Sequence, residues 1–115
     1  MSGKVLVVED EPMIQMLLED ICSVADVQIT DMVDNVADAL AAIGRRNFNA
    51  VILDVNLHGE TSESVASALQ GEGIPVLVST GSYGDSLPAA YDGFTVVTKP
   101  FSSKEMVLLL NQVAF

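Results

Sequence analysis

Four short apolar runs, each ending on a polar or charged side chain, constrain this chain more than any other feature. The runs are Val5 to Val8, Ala50 to Leu53, Pro75 to Val78 and Phe94 to Val97. They are rich in Val, Ile and Leu and are bounded by polar residues or Gly. That pattern is the signature of strands buried on both faces of a parallel sheet. Glu9 and Asp10 follow the first run, Asp54 the second, Thr80 lies just past the third, and Lys99 lies just past the fourth. Open parallel α/β sheets bind ligands at the carboxyl ends of their strands. Acids, a hydroxyl and a lysine are therefore predicted to meet on one edge.

Between these runs the period changes from that of a buried strand to that of a helix. Ile14, Leu17, Leu18 and Ile21 recur at i, i+3, i+4 and i+7, with Pro12 in the first turn. Val27 to Met32 reads as a further strand. Val36, Ala39, Leu40 and Ile43 mark a second helix, with Asp34 or Asn35 as N-cap and Gly44 as its end. Val65, Ala68 and Leu69 mark a third, opened by Thr61 or Ser62 and closed by Gly71. The 81–93 segment has the weakest pattern, and a helix there is expected to be short or irregular, about Pro88 to Tyr91. A last helix opens on the capping box Ser102-x-x-Glu105 and turns Met106, Leu109, Leu110 and Val113 inward. Val107 and Leu108 fall off that stripe, so this helix is a candidate contact surface. Strand and helix alternate throughout. The expected fold is therefore α/β, a three-layer sandwich with a five-stranded parallel sheet and about five helices.

Composition sets the limits on partners. The chain has 115 residues, half of them hydrophobic, which suits a single domain spanning 1–115. Five basic residues stand against sixteen acidic ones, a net charge of −11. That balance leaves no basic footprint for nucleic acid. It favours cations, or partners of positive charge. A single cysteine, Cys22, excludes an intramolecular disulfide and fits a cytoplasmic setting. No signal peptide or membrane-spanning stretch is predicted.

Each candidate group is ambiguous by itself. Glu9 and Asp10 could hold Mg²⁺, a cation that takes oxygen ligands, or could simply favour a helix N-terminus. Asp54 could be a carboxylate nucleophile toward phosphorus or a turn aspartate. Thr80 could donate to a phosphoryl oxygen or cap a turn. Lys99 could pair with carboxylates or lie free at the surface. His58, in the Asn56-Leu57-His58-Gly59 loop, reads as solvated and is given no role.

Taken together, in their order, the motifs Val-Leu-Val-Val-Glu-Asp-Glu-Pro (5–12), Val-Ile-Leu-Asp-Val-Asn-Leu (51–57), Ser-Thr-Gly (79–81) and Lys-Pro-Phe (99–101) resemble the receiver domains of bacterial two-component response regulators. The resemblance covers essentially the whole chain. It implies the flavodoxin-like strand order 2-1-3-4-5 and a phosphoprotein role in signal transduction. It implies Asp54 as phosphoacceptor, and Glu9, Asp10, Asp54 and the Asn56 backbone carbonyl as Mg²⁺ ligands. It also implies Thr80 as switch hydroxyl and Lys99 as the phosphate-binding cation before a cis proline. The implied partner is a sensor histidine kinase or a histidine phosphotransfer protein, with a protein target downstream. The chain itself is expected to be a monomer or weak dimer that promotes only its own phosphorylation and dephosphorylation.

Three positions depart from the family pattern. Glu9 stands where many receivers have Asp, and His58 where many have Pro. Val96 occupies the place of the usual switch aromatic on the last strand. The Ser79-Thr80-Gly81-Ser82-Tyr83 stretch resembles an atypical, often stand-alone subgroup, which makes Tyr83 the candidate switch aromatic and the 80–91 region the moving part. Rival readings are a receiver-fold module that works without phosphorylation, an aspartyl phosphatase and a flavodoxin-like cofactor binder. Asp10 followed by Glu11-Pro12 lacks the Asp-x-Asp of the phosphatases. The acids at 9–11 would repel a cofactor phosphate.

Overall fold

The computed structural model describes residues 3–81 and 87–113. Its elements are β1 (Gly3–Val8), α1 (Pro12–Val24), β2 (Val27–Val33), α2 (Val36–Arg45), β3 (Ala50–Asp54), β4 (Asn56–Leu57), β5 (Glu60–Thr61), α3 (Glu63–Leu69), β6 (Val76–Thr80), a one-turn 3-10 helix (Ala89–Tyr91), β7 (Thr95–Thr98) and α4 (Ser103–Val113). Five strands form one parallel sheet in the order β2-β1-β3-β6-β7. Setting aside the small β4–β5 pair, this is the expected order 2-1-3-4-5.

Strand alternation divides the core into two layers. Val5, Val7, Ala50, Ile52, Leu77 and Val97 face α1 and α4, where they meet Leu18, Ile21, Met106 and Leu110. Leu6, Val8, Val51, Leu53, Val76 and Val78 face α2 and α3, where they meet Ala39, Ala42, Val65 and Leu69. Both faces of the central strands are covered, which explains why they are continuous apolar runs rather than alternating ones. Cys22 is a buried core residue, and its burial pushes the thiol pKa up to about 11.

Some local expectations are settled by the structure and others are corrected. The α2 cap is Asn35, whose side chain accepts from the Asp38 N–H at 2.8 Å. Gly44 does not end that helix. It runs on to Arg45, and Arg46 takes the left-handed cap conformation itself, at φ 51°. Neither Thr61 nor Ser62 caps α3 through its side chain: Thr61 Oγ1 donates to Glu63, and the Ser62 hydroxyl is engaged elsewhere. The described residues hold four α-helices, and the 3-10 turn Ala89–Tyr91 is the short, irregular helix expected at about Pro88 to Tyr91. β6 and β7 each lie one residue later than the apolar runs suggest; at β6 the reason is that Pro75 has no N–H to give the ladder, although its carbonyl accepts from Val51. The β4–β5 hairpin was not expected. His58 and Gly59 both have positive φ, 50° and 82°, the backbone of a two-residue type I′ turn.

Two surface features bear on function. Val96 is 48% exposed. Among the described residues only the 3-10 turn stands in for a helix between β6 and β7. On α4, Val107 is half-buried against the core and Leu108 is 55% exposed, and both line, with Ile21 and Val24, a cavity of about 320 Å³. The expected apolar surface on this helix is thus Leu108 with the half-buried Val107, continuous with Ile21 and Val24 of α1.

Candidate functional site

The carboxyl ends of β1, β3 and β7 bring together the charged groups singled out in the sequence. One carboxylate oxygen from each of Glu9, Asp10, Glu11 and Asp54 lies within 4.8 Å of the others. Lys99 reaches into the cluster, with Nζ 2.9 Å from Asp54 Oδ2, 3.0 Å from Glu9 Oε1 and 3.4 Å from Glu11 Oε1. Glu11, whose role the sequence left open, is thus at the rim of the cluster. Asn56 stands beside Asp54 and donates its N–H to Asp54 Oδ1 at 3.2 Å. Thr80 is buried at the end of β6, and its carbonyl accepts from the Lys99 N–H at 2.8 Å, which ties the lysine's backbone to the edge. The Lys99–Pro100 peptide is cis. Tyr83 lies outside the described residues.

Local structure explains the placement. Asp54 is the last residue of the fully buried β3, and Glu9 directly follows the buried Val5–Val8 of β1, so the strands set their positions, while Asp10 and Glu11 lie between β1 and α1, with Glu11 at the helix N-cap. Glu9 is held further: its N–H donates to the Val33 carbonyl, its own carbonyl accepts from Gln15 Nε2 at 2.7 Å, and Glu9 Oε2 accepts from the Glu11 N–H. Asp10 Oδ2 accepts from the His58 N–H at 2.8 Å, across the turn of the β4–β5 hairpin. The His58 ring lies between Asp10 and Asp34, 3.7 Å from a carboxylate oxygen of each. His58 has no role on sequence grounds, and the type I′ turn is what brings it to Asp10.

The electrostatics follow from this crowding. Burial, then the Asp54 charge beside it, pushes Glu9 up to about 7. Burial opposes the Lys99 charge, but the Asp54 and Glu9 carboxylates outweigh it and raise the lysine pKa. For Glu9 the folded pKa lies above the unfolded value of 4.5. The folded state therefore holds a proton that the unfolded chain releases between those values. Glu9 contributes its stability fully below about pH 4.5 and loses it as pH rises through 7. In chelator, the protein is expected to lose up to about 3 kcal/mol from this group between pH 4.5 and 8. Urea midpoints of the native protein and Glu9→Gln across that range check it. The native curve should fall relative to the variant, and parallel curves would refute the assignment.

One buried polar group stands apart. Ser79, the register partner of Asp54, has its hydroxyl buried with no hydrogen-bond partner among the described residues. Such a hydroxyl costs roughly 1–3 kcal/mol. Ser79→Ala is expected to raise stability by about 1 kcal/mol, seen as a higher urea midpoint at unchanged slope.

The donor set has a definite chemistry. Carboxylate oxygens are hard ligands suited to Mg²⁺, and the cluster offers four within reach of one ion. The lysine supplies a cation that can stay with Asp54 when further negative charge arrives.

Known proteins share this architecture. SdrG from Sphingomonas melonis is 40% identical, with a TM-score of 0.80 over 97% of this chain and 98% of that one. The receiver domain of the Pseudomonas aeruginosa sensor histidine kinase PA1611 was solved with a magnesium ion in its active-site cleft. It is 21% identical and shares the fold, with a TM-score of 0.85 over 99% of this chain and 98% of that one. The transcriptional regulatory protein TcrA of Mycobacterium tuberculosis is 35% identical over 120 residues, 96% of this chain and 46% of its own length. The chain spans about half the length of the curated relatives it matches. The family model of the response regulator receiver domain matches residues 5–111, the stretch that runs from the first strand through the acidic edge to the last helix, and the chain belongs to that family.

Proposed function

We propose that this receiver takes a phosphoryl group on Asp54 from a phosphohistidine of a sensor kinase or phosphotransfer protein, in a cytoplasmic two-component relay. The observation that carries the reading is the Asp54 carboxylate at the end of β3, with the Lys99 ammonium 2.9 Å away and three further carboxylates at metal-binding distance. An Asp54 oxygen forms the new O–P bond as the donor's N–P bond breaks, and the electron pair of that bond returns to the donor imidazole. Lys99 stays within reach of the phosphoryl oxygens and offsets their charge. Glu9, Asp10, Asp54 and the Asn56 carbonyl are the residues assigned to Mg²⁺. When bound, that ion screens the acceptor carboxylate from the incoming anionic oxygens. The same edge admits a water to hydrolyse the acyl phosphate and reset the protein.

The phosphoryl group is read through the 80–91 region. Thr80 is the hydroxyl that moves toward it. Val96, exposed on β7, has no ring to swing. SdrG, the relative at 40% identity, has also been solved in a BeF₃-activated conformation, which supports a switch of this kind. The net charge of −11 favours a protein target over nucleic acid.

The test is incubation with phosphoramidate and Mg²⁺, followed by intact mass. One phosphoryl group should be gained, and chelator should prevent it. Beryllofluoride with Mg²⁺ should shift backbone resonances between Ser79 and Tyr91. No adduct under any donor would overturn the reading in favour of a module that works without phosphorylation.

A further inference from the structure

Ser62 occupies the N-cap position of α3 but does not cap it. Its Oγ lies 2.6 Å from the Asp54 carbonyl oxygen and 2.9 Å from the Tyr91 hydroxyl. Ser62 is completely buried and Tyr91 is 3% exposed. A carbonyl can only accept, so the single hydroxyl proton of Ser62 goes to Asp54. The second bond must then use the phenol proton. The chain has one direction: Tyr91 O–H donates to Ser62 Oγ, and Ser62 O–H donates to the Asp54 carbonyl. Burial raises the Tyr91 pKa, which keeps the phenol a donor.

Both ends of this chain are anchored. The Ser62 N–H donates to the Val55 carbonyl at 2.8 Å, so Ser62 grips the two peptides on either side of Val55. Gln70 Nε2 donates to the carbonyls of Ala90 and Asp92, both at 2.8 Å, and fixes the 3-10 turn that carries Tyr91. Successive hydrogen bonds in a buried chain polarise one another. A displacement of the turn therefore changes the bond at the Asp54 carbonyl, and a displacement of Asp54 is felt at Tyr91.

We propose that Tyr91 is a positioning residue for Asp54, acting through Ser62, and that this buried link couples the acceptor to the segment after β6. The inference rests on Asp54 as acceptor. It assigns the coupling aromatic to the 3-10 turn, where the ring reaches the acceptor's backbone rather than its carboxylate.

Tyr91→Phe and Ser62→Ala both preserve shape. Two quantities are read: the rate of acyl-phosphate formation from phosphoramidate at saturating Mg²⁺, and the carbonyl ¹³C shift of Asp54 without metal. Each variant is expected to slow the reaction by about fivefold, the equivalent of one hydrogen bond. The double variant should be no slower than Ser62→Ala alone, because both act through one chain. The Asp54 carbonyl should move upfield in both. In the reverse direction, beryllofluoride should shift the ¹⁹F resonance of 3-fluorotyrosine at position 91 in the native protein but not in Ser62→Ala. A Tyr91→Phe protein with the native rate and an unchanged Asp54 carbonyl shift would overturn the proposal. If the native protein takes no phosphoryl group, the function reading fails. The carbonyl shift in Tyr91→Phe then decides alone: movement upholds the link to Asp54 and no movement overturns it.

Discussion

Asp54→Asn is expected to take up no phosphoryl group while keeping the fold. The amide has the shape of the carboxylate but cannot form the acyl phosphate. The same change has a second consequence that a passive aspartate would not show. Asp54 supplies, after burial, the second cause of the raised Glu9 pKa. Without that charge Glu9 should ionise at lower pH, and the loss of stability between pH 4.5 and 8 should shrink. Intact mass after phosphoramidate treatment and urea midpoints at two pH values check both. A labelled variant, or an unchanged pH dependence, would go against the account.

Lys99→Met is expected to have the largest effect on stability. Lys99 Nζ is the cation among three carboxylates, and the Glu9 and Asp54 side chains that it contacts are buried. Removing one partner of a buried ion pair leaves uncompensated charge and costs about 3–5 kcal/mol. The cost should be greatest at pH 8, where Glu9 is ionised, and smaller near pH 5, where Glu9 holds its proton. Millimolar Mg²⁺ should restore part of the loss at pH 8 by taking over the charge. Thermal midpoints with and without Mg²⁺ at both pH values test this. An equal loss at pH 5 and pH 8 would show that Glu9 is not the group involved.

The layout of the site is legible in the sequence for a physical reason. Strands buried on both faces must be apolar throughout, so their ends are marked by the first polar residue. That is how Glu9 and Asp54 announce themselves, whereas Thr80 and Lys99 each lie one residue past the first polar residue, Ser79 and Thr98, and β7 is an edge strand with only Val97 buried. Asn35 was one of two candidate caps, and only geometry separates it from Asp34. The sequence is less informative where backbone geometry, rather than burial, decides. His58-Gly59 forms a type I′ turn although His is a less favoured residue there than Asn or Asp, so the hairpin that brings His58 to Asp10 read as a loop. Gly44 looked like a helix end, yet Arg46 takes the left-handed conformation two residues later. Ser62 and Tyr91 are 29 residues apart and obey no spacing rule. Ser62 suggested a cap because Ser usually caps, and only the fold shows its hydroxyl turned to Asp54.

The central claim is that Asp54 carries the phosphoryl group, and borohydride trapping tests it most directly. The protein is treated with phosphoramidate and Mg²⁺, reduced, digested and mapped by mass spectrometry. Reduction of an acyl phosphate on Asp54 converts that residue to homoserine, and the account predicts homoserine at position 54 and nowhere else, absent when Mg²⁺ is chelated. An unmodified peptide across 50–57, or the modification at Glu9, Asp10 or Glu11 instead, would contradict it.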